Sequence, residues 1–483
     1  MKSSFLTLPA TRMHRASIVF LAIGMWLCSC IVGVSVDANE PRPNVLFLFM
    51  DDQQANTIAA LGNGVLKTPN LDRLVGEGIS FDRAYMQGGF NPATCVPSRA
   101  MLMSGRPLFR VDERLMDDKT WPATFGEAGY QTFISGKWHN GEPSILASFQ
   151  QGKRIFSGGM TNPMRAPLSD IVDGKLTQPA VSPQHACTAF ADAAIAFLKQ
   201  PRTEPFLCYV AFDGPHDPHI VPQEFPIRYD PASIPLPAAF MPHHPWDNGE
   251  MNIRDEVLLA KPRDPNATKR MIADYYRYIS FLDNEIGRIL ETLANSEAAA
   301  NTIIVFASDS GVALGRHGLV GKQNLYEHSL RVPLILSGPG IPKGKRASAL
   351  VYTYDIYPTL GQLCGVDGPD SSLGIDFSPA FDDPQWSARN HLVFAYKNVQ
   401  RAIRDDRWKL IQYPNVNQVQ LFDLNSDPEE TNNLADQTGY TDQIDRLTQK
   451  LSEEIKEAGN RERVRAAPPN RRGFRPPPPP RRP

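Results

Sequence analysis

Asn44-Val45-Leu46-Phe47-Leu48-Phe49-Met50 is an unbroken apolar run that stops at Asp51-Asp52. A run of strand length with no polar alternation reads as a strand covered on both faces, the usual condition in a parallel sheet. Two later runs end in the same way: residues 206–212 halt at Asp213-Gly214-Pro215-His216, and residues 302–307 halt at Ser308-Asp309-Ser310-Gly311. Helical patterns lie between and around them, at residues 187–199 and at 272–293, where Ile279, Leu282, Ile286 and Ile289 share one face. Strands alternating with helices predict a doubly wound α/β layer, with functional groups gathered beyond the carboxyl ends of the strands. The polar turns fall there.

Outward from this layer, residues 215–265 are rich in proline, histidine and polar groups without periodicity, and read as long excursions that shape access to a site. After residue 377 the texture changes to short strand-like pieces at 391–396, 401–404 and 408–412, then a last helix over 441–456. The division that follows is a signal segment at 1–38, a main α/β domain at 39–376, a smaller C-terminal α+β subdomain at 377–460 and a tail at 461–483. The tail alternates arginines with proline runs, which predicts an extended segment, either a basic tether or simply solvated.

A chain of 483 residues, 42% hydrophobic, is long enough to bury such a core, and its formal charge of −2 offers no electrostatic case for nucleic acid. Lys2, Arg12 and Arg15 precede an apolar run at 18–34 and then Val36-Asp37-Ala38, a pattern suited to cleavage after Ala38. This predicts export to the periplasm or the extracellular space. The run is slightly long for a signal, so an uncleaved membrane anchor is the alternative, and Leu27-Cys28-Ser29-Cys30 matches a lipoprotein box poorly. Cys187, Cys208 and Cys364 remain in the mature chain beside Cys95, either with one disulfide or as buried thiols, and no spacing marks a zinc or redox site.

Asp51, Asp52 and Asp309 place three carboxylates after two of the strands, and oxygen donors of that kind favour a hard cation, Ca2+ or Mg2+. Taken alone, the Asp51-Asp52 pair would be a turn or a helix cap. Gly136-Lys137-Trp138-His139 follows a further strand-like run at 131–134 and brings an ammonium and an imidazole to the same end, the latter suited to proton transfer near neutrality. In Pro215-His216-Asp217-Pro218-His219 the prolines argue against two zinc ligands on one helix face. His216 instead reads as a donor to a leaving oxygen, and His219 as loop architecture.

Cys95-Val96-Pro97-Ser98-Arg99-Ala100-Met101-Leu102-Met103-Ser104-Gly105, followed by Arg106, resembles the signature at which type I sulfatases convert cysteine to formylglycine. The likeness extends over most of the chain. It takes in Lys67-Thr68-Pro69-Asn70-Leu71-Asp72-Arg73-Leu74, then Leu314-Gly315-Arg316-His317-Gly318-Leu319-Val320-Gly321-Lys322, and near the end Leu421-Phe422-Asp423-Leu424. The Asp51-Asp52-Gln53-Gln54 and Pro215 to His219 turns look closest to the iduronate-sulfatase and choline-sulfatase branches.

The resemblance implies an alkaline-phosphatase-like α/β sandwich around a mostly parallel sheet, with Ca2+ at positions matching Asp51, Asp52, Asp309, Ser310 and residue 95. It also implies sulfate-binding or proton-transfer roles for Arg99, Lys137, His139, His216 and Lys322. An aldehyde hydrate at residue 95 would be the nucleophile, made with the help of a formylglycine-generating enzyme. The implied activity is hydrolysis of a sulfate monoester, with a sulfated carbohydrate as the expected substrate and choline sulfate or an aryl sulfate as the alternatives. The alternatives are a phosphate or phosphonate ester hydrolase of the same superfamily, or a noncatalytic binder of sulfated glycans. Ser310 departs from the family pattern, which places an amide or histidine there; a hydroxyl is a shorter and weaker donor.

Overall fold

Alternate residues of the strand Asn44–Asp51 (β1) enter two different cores. Val45, Phe47 and Phe49 pack with Trp121, Phe125, Tyr357 and Leu360, whereas Leu46, Leu48 and Met50 pack with Leu71, Phe190, Leu282 and Ile286. A strand buried on both faces accounts for the unbroken apolar run. The computed structural model describes residues 41–458; the expected signal segment and the tail lie outside the described residues.

The principal sheet adds Gly78–Phe81 (β2), Gln131–Lys137 (β3), Gln151–Phe156 (β4), Phe206–Pro215 (β5), Thr302–Ser308 (β6), Leu334–Ser337 (β7) and Lys345–Ala347 (β8). Its order is β8-β2-β7-β6-β1-β5-β3-β4. The block β6-β1-β5-β3-β4 is parallel throughout, and β7 runs against both of its neighbours. On one face lie Pro69–Glu77 (α1), Ala186–Leu198 (α3) and Pro265–Ala294 (α4); on the other lie Cys95–Ser104 (α2) and Ile356–Cys364 (α5). The helix α4 starts earlier than its apolar periodicity at 272–293 suggests. Asp264 accepts from Ala267 N at 2.7 Å and Pro265 occupies the first turn, so capping extends the helix beyond its buried face.

The C-terminal part is an antiparallel meander of His391–Tyr396 (β9), Gln400–Asp405 (β10), Trp408–Tyr413 (β11) and Gln418–Asp423 (β12). Thr441–Glu457 (α6) covers it, packing Leu447 and Leu451 on Ile403, Leu410 and Leu421. Gly88–Gly89 adds a short parallel strand beside β9, so the meander is joined to the segment that leads into α2. Gly88 has φ 109°, and a Cβ there would stand 2.0 Å from the Ala395 carbonyl oxygen, so only glycine permits this join. Cys187, Cys208 and Cys364 are buried free thiols, and none of the described cysteines is in a disulfide.

Candidate active site

Four parallel neighbours, β6, β1, β5 and β3, end side by side, and each end supplies a polar group: Asp309, Asp51 with Asp52, His216, and Lys137. The first turn of α2 is at the same end and presents Cys95, which is 1% exposed. Ligand atoms of Asp51, Asp52, Cys95 and Asp309 all lie within 4.8 Å of one another. The Cys95 thiol donates to Asp51 Oδ1 at 3.3 Å, and Lys322 Nζ stands 2.9 Å from Cys95 Sγ.

Three carboxylates packed together in a buried site are held by three cations. Lys322 Nζ donates to both oxygens of Asp52, at 2.6 and 2.8 Å, and Lys137 pairs with Asp51. Arg99 Nε donates to Asp309 Oδ2 at 3.0 Å, its Nη2 lies 3.5 Å from Asp51 Oδ2, and its Nη1 donates to the Lys137 carbonyl at 3.1 Å. Arg99 thus braces the carboxylates from beneath, with its guanidinium 5.0 Å from the Phe49 ring centroid. Ser310 donates its hydroxyl to Asp52 Oδ1 at 2.7 Å and so faces the cluster through that carboxylate.

The two acids next to Arg99 are driven apart. Burial alone would raise Asp51, but Lys137, Arg99, His216 and Lys322 together hold it well below the carboxylate range. Burial and then the Asp51 charge push Asp309 up to about 6. Burial, reinforced by Asp51, also pushes the Cys95 thiol well up, a neutral and weakly nucleophilic state.

The histidines differ in setting. His216 Nε2 lies 3.7 Å from Asp52 Oδ2, and its Nδ1 donates to the Asp217 carbonyl at 2.7 Å. His139 packs against Gly159, and its Nδ1 is buried without a hydrogen-bond partner. Burial, then the adjacent Lys137 charge, push its imidazole down to about 2, so it stands neutral. Asp52 and His139 both sit at positive φ, 70° and 75°, backbone that non-glycine residues adopt at a cost of roughly 1–3 kcal/mol. His219 remains outside the cluster, its ring 5.5 Å from that of Tyr275.

A polar wall beside His216 escaped the sequence reading. Arg254 grips Asp217 through both nitrogens and donates from Nη1 to Asp255 Oδ1 at 2.8 Å; Gln323 Nε2 then donates to Asp255 Oδ2 at 2.7 Å. Asp217 was visible within its motif, but nothing in the chain marks Arg254 or Asp255, which reach the site only through the fold of the excursion.

The family model "Sulfatase" matches residues 43–366, and the model "N-sulphoglucosamine sulphohydrolase, C-terminal" matches residues 315–457. A sulfatase of Formosa agariphila is 28% identical, over 89% of this chain and 90% of its own. An N-acetylglucosamine-6-O-sulfatase of Bacteroides thetaiotaomicron is 26% identical, over 86% of this chain and 87% of its own. Among solved structures, BT4656 in complex with its substrate D-glucosamine-2-N,6-O-disulfate superposes with a TM-score of 0.70 at 24% identity, covering 88% of this chain and 99% of its own. At that identity the likeness speaks for the fold, an alkaline-phosphatase-like α/β sandwich with a C-terminal subdomain. The chain belongs to the sulfatase family and is a sulfuric ester hydrolase.

Proposed function

We propose that the protein is exported and removes sulfate from a carbohydrate sulfate monoester, with residue 95 matured from cysteine to formylglycine and one Ca2+ held by Asp51, Asp52, Asp309 and residue 95. The observation that carries this reading is the convergence of three carboxylates and Cys95 within 4.8 Å, with Lys322 Nζ 2.9 Å from the thiol. Three carboxylates form a hard donor set that fits Ca2+, with Ser310 turned to the same cluster through Asp52. The ion would supply positive charge to a sulfate oxygen and ease deprotonation of a hydroxyl at residue 95. The hydrated aldehyde would supply a hydroxyl nucleophile that can later collapse and expel sulfate, which a thiol holding sulfate cannot do.

The side chains of this chain perform the remaining work. Lys137 and Lys322 bind sulfate oxygens, and their fixed charges in a closed site stabilise the transition state. His216, oriented by Asp217, gives a proton to the leaving oxygen. The resemblance gives His139 the proton released when sulfate departs, but burial and the Lys137 charge leave it a weak base here, so its unpartnered Nδ1 is assigned a neutral hydrogen-bonding role at the sulfate site. Arg99 positions Asp51 and Asp309. The relatives that act on sulfated sugars and the N-terminal export pattern support the substrate class and the location.

Peptide mass spectrometry on residues 84–99 tests this, on protein from its natural host or co-produced with a formylglycine-generating enzyme. The expected result is aldehyde at residue 95, with inorganic sulfate released from a sulfated sugar. Unmodified cysteine, with a control sulfatase matured in the same cells, would overturn the proposed nucleophile.

A further inference from the structure

Cys95 is 1% exposed, so substrate selection falls to the partly exposed groups around it. The wall described above touches the catalytic groups at several points. Asp217 contacts His216, Gln323 follows Lys322 in the chain, and Gln323 Nε2 also donates to the Pro92 carbonyl at 2.9 Å, on the loop that leads into Cys95. Side-chain exposure along it is 18% for Asp217, 37% for Arg254 and 14% for Asp255, so the wall is open to a ligand.

It is also rigidly held. Glu256, next to Asp255, is buried and accepts from Val320 N at 3.0 Å and Gly321 N at 2.9 Å, and it pairs with Arg263 at 2.5 Å. These bonds fasten the excursion to the loop that carries Lys322. Gly321 makes the approach possible: a Cβ there would stand 2.8 Å from Asp255 Cβ and 2.5 Å from Gln323 Oε1. A recognition group supported in this way keeps its geometry before substrate arrives.

Each oxygen of Asp255 engages one donor, Arg254 or Gln323, which leaves acceptor capacity on both. Arg254 is shared between two carboxylates, Asp217 and Asp255; burial would raise Asp255, but Lys322, Gln323, His216 and Arg254 together hold it below the usual carboxylate range, so it stands as an anion. The Lys322 ammonium is already directed at Asp52. Such a surface accepts a hydrogen bond from a neutral hydroxyl and repels a second anion.

We infer that Asp255, held by Arg254 and Gln323, is a specificity-determining residue that binds the ring hydroxyl beside the sulfate ester, selecting sugars with a free hydroxyl there and rejecting those with a second sulfate or a carboxylate. This rests on the carbohydrate-sulfatase reading above.

The test uses full-length protein whose residue 95 has been shown to be aldehyde. Its probes are methyl hexopyranosides sulfated once at each position in turn, their analogues with a second sulfate on the neighbouring carbon, and 4-methylumbelliferyl sulfate, which has no ring hydroxyl. Asp255→Ala should lower the ratio of kcat/KM for the best sugar monosulfate over the aryl sulfate by about 10- to 100-fold, the value of one hydrogen bond to a charged group. In the wild type a second, neighbouring sulfate should cost at least about tenfold, and Asp255→Asn, which keeps shape and removes charge, should recover part of that loss. An unchanged ratio in Asp255→Ala, or equal turnover of the mono- and disulfated sugars by the wild type, would overturn the inference. Turnover of the aryl sulfate without any sugar sulfate would also overturn it while leaving sulfatase chemistry standing. No turnover of any probe would bring down the underlying reading as well.

Discussion

The carboxylates beside Cys95 and those beneath the C-terminal sheet are buried and neutralised by the same kinds of cation, yet they are built for different ends. In the second cluster Lys409 Nζ lies 3.0 Å from Glu327 Oε1 and 2.8 Å from Glu430 Oε1. Tyr85 donates to Glu327 Oε2 at 2.7 Å, and Glu327 N donates to Glu430 Oε2 at 2.7 Å. Glu327 accepts through both oxygens and Glu430 through Oε2, with Glu430 Oε1 facing the Lys409 ammonium, and the cluster ties β11 to the short helix Glu327–Leu330.

Perturbed acidity and backbone strain do not separate the two. Burial would raise Glu327, but Lys409, Arg404 and Arg331 push it down to about 2, while burial pushes Glu430 up to about 7, a split like that of Asp51 and Asp309. Glu430 has φ 56°, as Asp52 has 70°. What separates them is direction. Around Cys95 the ligand atoms converge on one point with a partly exposed wall at its side; under the sheet they are spent on one another. Shifted acidity marks a charged interior, and convergence marks a site.

The largest expected effect is on the closed cluster. Lys409→Met leaves two buried carboxylates without their shared cation and should cost about 3–5 kcal/mol in chemical denaturation. Activity per folded molecule should stay near wild type; a proportionate loss of kcat would mean that the two clusters are coupled. Lys137→Ala should do the reverse, lowering kcat by about 10²–10³-fold, a loss of roughly 3–4 kcal/mol in transition-state binding. Near-normal sulfate release would remove Lys137 from the sulfate site. Chelation with EGTA should destabilise the mature protein by about 2.7 kcal/mol where free Ca2+ had stood at 100 times its dissociation constant, with recovery on adding Ca2+. An unfolding midpoint indifferent to chelation would argue against a resident ion.

The smallest effect is a pH slope. Burial pushes His317, stacked on Tyr326 with ring centroids 3.8 Å apart, down to about 4. Between about 6.5 and 4 the unfolded chain therefore binds more protons at this residue than the folded one. The stabilisation is complete above that window and is lost as pH falls through it, by up to about 1.4 kcal/mol per unit. His317→Phe keeps the stacking and should flatten that slope in equilibrium unfolding followed from pH 7 to 4; an unaltered slope would assign the acid sensitivity to other groups.

Much of the frame is legible in the amino-acid sequence. The runs at 44–50, 206–212 and 302–307 announced buried parallel strands because a strand covered on both faces has no place for alternating polar groups. Asp51, Asp52, Lys137, His216 and Asp309 were legible as candidates because parallel strands deliver whatever follows them to one edge. The Cys95 to Gly105 stretch was readable for another reason, since it carries a pattern of residue types.

The chain by itself thus determined the layer type, the edge at which chemistry gathers and the residue kinds available there, all consequences of local pattern. Tertiary structure alone decided that β7 runs against its neighbours, that Gly88–Gly89 joins the C-terminal sheet, that Arg99 braces carboxylates and that Lys409 serves a closed cluster. It also decided that Arg254 and Asp255 stand beside His216 and Lys322, through a long excursion fastened by Glu256. The physical reason is range: burial pattern and turn chemistry act over a few residues, whereas the partner of a buried charge is chosen by which distant segment packs against it.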